Sequence, residues 1–261
     1  MSALLESQEV SKSFGAVTAA ANLNLTVEAG ETLGVIGANG AGKTTFVNMV
    51  TGYLKPDTGP ILYLGQDIAG RAPREITRLG ICRSFQIPQL FAELTVLENM
   101  LIARTIARRG EWQAWQPIRR PKRIEAAERV LSRFSLAEFR DQTAGTLAQG
   151  VRKLLDIAMA TVGEPRLVLL DEPTSGISVD EKFAVMDTLM SALRESGAAI
   201  FFVEHDMEIV ERYARRVVAF YDGKIIADGD SREVLGDADV RQYVVGTELH
   251  RRRTGAGRAR C

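Results

Sequence analysis

The chain has 261 residues, 46% hydrophobic and 25% charged, the composition of a globular protein with one sizeable core and room for a smaller subdomain. Lysine plus arginine equals aspartate plus glutamate at 33 each, so no overall field directs it toward nucleic acid or anionic lipid. Its two cysteines, Cys82 and Cys261, are too few for a disulfide framework, which points to a reducing compartment.

In chain order, residues 1–10 include Glu6 and Glu9 and lack an apolar centre, so no secretory leader is expected there. Leu33-Gly34-Val35-Ile36 is a short apolar run that ends in glycines and is followed by residues 43–50 with helical spacing. This predicts strand, glycine loop, helix. From residue 88 to about 163 no strand pattern stands out, and helical spacing at residues 124–134 and 154–160 predicts a helical insertion in a sheet domain. Residues 167–170 and 199–203 are apolar on both faces, as a buried parallel sheet requires, with a helix predicted between them at 182–194. The alternation argues for an α/β core with right-handed crossovers. Residues 217–221 and 224–227 flank Asp222-Gly223, a hairpin signal. The expected division is a domain at 1–249, with its core at about 1–87 and 164–249 and its helical insertion at about 88–163. A basic, disordered tail is expected at 250–261, opening near Arg251-Arg252-Arg253. The apolar runs fall far short of the roughly 18 to 20 residues that span a bilayer.

Gly37-Ala38-Asn39-Gly40-Ala41-Gly42-Lys43-Thr44 fits the P-loop pattern at every defined position. Glycines let the backbone curl so that N–H groups point at phosphate oxygens, and the following helix adds the positive end of its dipole. Lys43 would reach the β- and γ-phosphates of ATP, and the Thr44 hydroxyl would ligate Mg²⁺. Such a loop needs a carboxylate strand, and Leu167-Val168-Leu169-Leu170-Asp171-Glu172 supplies one. Asp171 is placed to hold the metal, and Glu172 to act as general base toward the attacking water.

With these motifs stand Phe85-Gln86, Leu170-Asp171-Glu172-Pro173-Thr174 and Val203-Glu204-His205-Asp206, in the order and spacing of an ABC transporter nucleotide-binding domain. The resemblance runs from about residue 4 to 247. It is most similar to the ATPases of branched-chain amino acid importers, through the Leu-Phe-x-x-Leu-Thr-Val-x-Glu-Asn pattern of residues 90–99 and through residues 203–208. The resemblance implies a P-loop NTPase (RecA-like) core with an antiparallel β subdomain and an inserted α-helical subdomain. It implies that Phe14 stacks on adenine, the alternative being an ordinary core phenylalanine, and that residues 37–45, Thr45 included, cradle the phosphates. It implies that Gln86 touches Mg²⁺ and the γ-phosphate, and that His205 contacts the γ-phosphate, making Lys43, Gln86, Glu172 and His205 the catalytic set and Thr44, Gln86 and Asp171 the metal set. Ala148 and Gly150 would face the ATP of a partner subunit.

The partners implied are a second ATPase subunit, transmembrane permease subunits and an extracytoplasmic solute-binding protein, with the chain peripheral to the cytoplasmic face of the inner membrane and no nucleic acid bound. Ile87, Leu90, Phe91, Leu94 and Leu97 would offer a groove floor to a permease helix. The sequence departs from the family pattern at the signature, Leu-Ser-Gly-Gly-Gln, which reads Leu147-Ala148-Gln149-Gly150-Val151, and at Ser178, where the family often has aspartate. These departures lead to the expectation of a related but different ATPase partner and two unequal composite sites. Two alternatives stand beside the importer motor: a soluble ABC ATPase of nucleic-acid or ribosome processes, supported only by the basic stretches, and a regulatory ATPase of low activity, left open by Val151 and Ser178.

Overall fold

The computed structural model describes residues 3–84, 90–107 and 118–245. They fall into two compact units, one of residues 1–76 and 201–261 and one of residues 77–200.

The first unit opens with a hairpin of β1 (Leu5–Phe14) and β2 (Val17–Val27), which turns through Gly15 at φ +59° and sets Phe14 opposite Val17. Its register shifts three times, and Glu9 and Asn22 take positive φ at the irregularities. Side chains close the resulting gaps in the ladder: Glu9 N–H donates to Asn24 Oδ1 (2.9 Å) and Asn22 N–H to Ser11 Oγ (2.9 Å). Next come β3 (Thr32–Gly37) and α1 (Lys43–Val50), the predicted strand and helix on either side of the glycine loop. β4 (Ile61–Tyr63) pairs antiparallel with β1, and β5 (Gln66–Asp67) with β4, so that β2-β1-β4-β5 form an antiparallel sheet. α2 (Pro73–Leu79) then leads toward the second unit.

In the second unit, β6 (Ile81–Ser84) is followed by α3 (Val96–Ala107), α4 (Pro121–Arg133) and α5 (Gln149–Thr161). The start of α3 explains the Leu-Thr-Val-x-Glu-Asn pattern. Thr95 and Glu98 cap it reciprocally, Thr95 N–H donating to Glu98 Oε2 (2.9 Å) and Glu98 N–H to Thr95 Oγ1 (3.2 Å). Asn99, fully buried, accepts the Phe91 N–H and donates to the carbonyls of Phe91 and Thr95, which fixes the preceding loop. Leu97 is buried, whereas Phe91 is exposed. β7 (Leu167–Asp171) runs parallel to β6, with Ser84 opposite Leu170, and α6 (Lys182–Glu195) follows close to the predicted bounds.

β8 (Ala199–Val203) carries the chain back to the first unit, where α7 (Met207–Tyr213), β9 (Arg216–Tyr221), β10 (Lys224–Asp230) and α8 (Ser231–Gly236) complete it. The predicted hairpin is β9–β10, with Asp222 and Gly223 both at positive φ, as a type I′ turn demands. Around β3 the strand order is β10-β9-β3-β8, with β9 parallel to β3. The core beneath the glycine loop is aromatic: the buried Phe46 ring lies 6.0 Å from that of Phe201 and 6.1 Å from that of Phe220. Among the described residues no helix is long and apolar enough to cross a membrane.

Candidate active site

In the first unit the glycine loop runs from the end of β3 to the N-terminus of α1, with Gly37, Gly40 and Gly42 all at positive φ. Only glycine fits at Gly42, because a methyl group there would lie 2.5 Å from the Ala19 carbonyl oxygen. No side chain caps α1 and its first turn has no acidic residue, so its positive end is left for an anionic ligand. Asn39 and Gly40 are exposed, while Lys43 is 6% exposed. The Lys43 ammonium donates to the carbonyls of Gly37 and of Ala38 (3.0 Å), drawing the loop around its own cation. Thr44 faces solvent at the first turn of the helix, beside Thr45. The Ala41 carbonyl accepts Gly223 N–H (3.1 Å), so the Asp222-Gly223 turn supports the loop from the side.

His205 follows β8, the strand next to β3. Its position is set from both sides. Glu204 N–H donates to the Val35 carbonyl (3.2 Å), the His205 N–H donates to the buried Glu204 carboxylate (3.1 Å), and Asp206 caps α7 through the Glu208 N–H (3.1 Å). Phe14 stands at the tip of the first hairpin, 53% exposed, so it is not a core phenylalanine. A flat aromatic surface presented to solvent is a stacking platform, and Lys12 Nζ lies 5.8 Å from the ring centroid.

In the second unit Asp171 ends β7 and is followed by Glu172 at φ +48°, a strained conformation for glutamate that turns the chain sharply out of the strand. Arg83, on the neighbouring β6, donates from Nη2 to Asp171 Oδ2 at 2.6 Å. Sequence reasoning missed Arg83. The available signal was a cation inside the strand-length run Ile81-Cys82-Arg83-Ser84, which requires a carboxylate partner once buried. Ala148 stands exposed at the N-cap of α5. Gly150 is buried, and its lack of a side chain has a reason within the chain, since a methyl group there would lie 2.9 Å from Val185 Cγ2 of α6. Gln149, also passed over in the sequence, lays its amide against Gly176 in the loop after β7. Ser178 donates to Glu181 Oε2 (2.9 Å) at the entry to α6. Gln86 and Ile87 lie outside the described residues.

The Thr44 hydroxyl in the first unit and the Asp171 carboxylate in the second are each hard oxygen donors, the kind that a cation such as Mg²⁺ takes. Among the described residues no cluster of three or more His, Cys, Asp or Glu forms a protein-only metal cage.

Residues 20–175, more than half of the chain, match the family model described as ABC transporter. The chain belongs to the ABC transporter family. Among curated relatives of this ABC protein are a probable branched-chain amino acid transport ATP-binding protein LivG of Archaeoglobus fulgidus and a high-affinity branched-chain amino acid transport ATP-binding protein BraF of Pseudomonas aeruginosa. The first is 34% identical, over 94% of this chain and 96% of the relative, and the second 33%, over 93% and 98%. Its fold is shared with the ADP conformation of an ATP-binding cassette of an ABC transporter, at a TM-score of 0.83, 30% identity and coverage of 93% and 98%. Another structural relative is cbiO1 from Clostridium perfringens, part of the ABC transporter complex cbiONQ, at a TM-score of 0.80, 26% identity and coverage of 93% and 94%. The α/β class with an added antiparallel sheet is thereby the P-loop fold of ATP-binding cassettes.

Proposed function

We propose that this protein is the ATP-hydrolysing subunit of an ABC importer, most similar to those for branched-chain amino acids. The observation that carries the ATPase reading is the strand–loop–helix unit, with an uncapped α1 and Lys43 gathered against the Gly37 and Ala38 carbonyls. The importer reading rests on relatives of similar length named for branched-chain amino acid transport.

In this reading Phe14 stacks on the adenine, the backbone N–H groups of residues 37–45 hold the phosphates, and Lys43 neutralises charge that develops on the transferred γ-phosphoryl group. Thr44, Gln86 and Asp171 would hold Mg²⁺, which would supply neutralisation of phosphate charge. Glu172 takes a proton from the attacking water, and His205 steadies the γ-phosphate side of that attack. Ala148 and Gly150, at the start of α5, face the nucleotide bound by a second ATPase subunit. Ala148 lacks the hydroxyl of the usual serine, worth roughly 1.5–3 kcal/mol toward a charged oxygen. The helical stretch at about 88–163 is the part offered to permease subunits, through the rigid loop before α3. An extracytoplasmic solute-binding protein would deliver the cargo, and the chain would sit peripherally on the cytoplasmic face of the inner membrane.

The test is to tag the chain, extract it gently from native membranes and identify what accompanies it, with ATP hydrolysis assayed on the same preparation. Multi-span permeases, a second ATPase and hydrolysis abolished by Glu172→Gln are expected. Recovery with ribosomes or nucleic acid would overturn the importer reading, and undiminished hydrolysis by Glu172→Gln would overturn the assigned base.

A further inference from the structure

Phe14 stands exposed at the tip of a two-stranded hairpin, so its ring keeps its direction only as far as the backbone beneath it does. That backbone is irregular. Lys12 pairs with Ala20 and Ser13 with Thr18, so Ala19 is an extra residue on β2 and the ladder is interrupted just before Phe14. The interruption is closed from outside the hairpin, by Asp57 in the loop after α1. Its Oδ2 accepts the Ser13 N–H (2.8 Å), its Oδ1 accepts from Lys12 Nζ (2.5 Å), and its own N–H donates to the Ser11 carbonyl (2.9 Å). The next residue adds a fourth bond, the Thr58 carbonyl accepting the Ser11 N–H (3.0 Å). Asp57 alone thus holds Ser11, Lys12 and Ser13, the three residues that lead into Phe14.

The Asp57 side chain is 46% exposed, and an ion pair so open to water adds little to stability. Both of its oxygens are nonetheless engaged with this one segment. The Lys12 hydrogen bond, and after it the Ser13 N–H, hold the Asp57 carboxyl below its ordinary 3.8, so it is ionised at neutral pH. Lys12, drawn to Asp57, also lies 5.8 Å from the Phe14 ring centroid, so the same pair sets the cation beside the ring. The extra residue Ala19 is the one whose carbonyl lies against Gly42, so the irregularity that Asp57 closes also borders the phosphate loop. We propose that Asp57 is a positioning residue for the nucleobase: by holding the Ser13 N–H and Lys12 it fixes the Phe14 ring relative to the phosphate loop. It acts through Phe14 rather than by touching the nucleotide. The proposal rests on the reading of Phe14 as the platform for adenine.

The test compares two ligands by calorimetry on the full chain: a non-hydrolysable ATP analogue, which carries the base, and inorganic triphosphate, which lacks it. Asp57→Ala is expected to weaken the analogue by about five- to tenfold, no more than Phe14→Ala does, and to leave triphosphate within about twofold of the parent. A merely structural tie would weaken both ligands alike or show only in the melting temperature. Asp57→Asn, whose amide oxygen still accepts the Ser13 N–H, is expected within about twofold of the parent for both ligands. In the double variant Phe14→Ala, Asp57→Ala the analogue is expected to bind no more weakly than in Phe14→Ala alone. Equal weakening of both ligands by Asp57→Ala, weakening of neither, or a further loss in the double variant overturns the proposal. A loss in Asp57→Asn as large as in Asp57→Ala overturns the hold on Ser13 as its means. Should Asp57→Ala fail to fold, Asp57→Ser, too short to reach Ser13 and Lys12 together, decides on the same comparison. Phe14→Ala separates the two levels of inference. If it leaves the analogue's affinity unchanged, the adenine reading of Phe14 falls; if it weakens that affinity while Asp57→Ala does not, only the role of Asp57 falls.

Discussion

Gly40 and Gly42 occupy the same loop at similar backbone angles, φ +85° and +104°, yet their surroundings differ. A methyl group on Gly40 meets nothing within 4 Å, whereas on Gly42 it would lie 2.5 Å from the Ala19 carbonyl oxygen and 3.3 Å from Gly223 Cα. A left-handed backbone costs a residue with a side chain roughly 1–2 kcal/mol, and that is the whole expected loss for Gly40→Ala. Gly42→Ala adds a collision between backbone groups that no rotamer relieves, at a further roughly 1–3 kcal/mol. For a chain of this size about 1 kcal/mol moves the melting temperature by roughly 2–4 °C. Gly40→Ala is therefore expected to melt about 2–8 °C lower, and Gly42→Ala, with a total loss of roughly 2–5 kcal/mol, about 4–20 °C lower. Both are measured without nucleotide, by thermal and denaturant unfolding, so that phosphate contacts do not enter. Equal losses in the two variants would show that the close approach to Ala19 is not what reserves position 42 for glycine.

Phe46→Ala removes the ring that packs on Phe201 and Phe220, and a stability loss of about 3–5 kcal/mol in denaturant unfolding is expected. Phe14→Ala, at an exposed hairpin tip, is expected to leave the melting temperature unchanged and weaken binding of a fluorescent ATP analogue by about tenfold. An unchanged affinity would remove Phe14 from the nucleotide site. Burial pushes the Cys82 thiol up from its ordinary 9.0 to about 11, so the folded chain should resist alkylation of this residue at pH 8. Because the folded state holds this proton more tightly, its contribution to stability is complete below pH 9 and lost as pH rises through 11. Cys82→Ala should remove that part of the alkaline decline in a pH series of melts.

The parts legible in the sequence were those with a local cause. The β3–loop–α1 unit, β7, α6, β8 and the Asp222-Gly223 hairpin each carry their signal within about ten residues, as an apolar run, a glycine pattern or a turn dipeptide. The β1–β2 hairpin was not read out strand by strand. Its three register shifts break the alternation of apolar and polar residues, and a run such as Val17-Thr18-Ala19-Ala20-Ala21 has no clear period of two. Partnerships across the chain were likewise invisible. Arg83 and Asp171 meet because two strands align in parallel, and Gln149 meets Gly176 because α5 and the loop after β7 converge. Gly150 shows the reverse case, since the glycine stood out in the sequence as a feature of the family signature, yet within the chain its missing side chain makes room for Val185.

The P-loop motif identifies the chemistry, but its shape is not a property of its own residues alone. On one side Gly223 N–H donates to the Ala41 carbonyl, and Gly223 in turn accepts from Ala21 N–H through its own carbonyl (2.8 Å). On the other, Gly42 sits against the Ala19 carbonyl so closely that no side chain fits. Ala19 and Ala21 lie on β2, the strand that begins at Val17, opposite Phe14. The exposed aromatic ring and the phosphate loop are thus joined through a few residues of backbone, with no flexible side chain in the link. A nucleotide that stacks on Phe14 and places its phosphates in the loop would meet two halves of a site whose spacing β2 already sets. A spacing fixed through backbone in this way would lower the ordering cost of binding such a nucleotide.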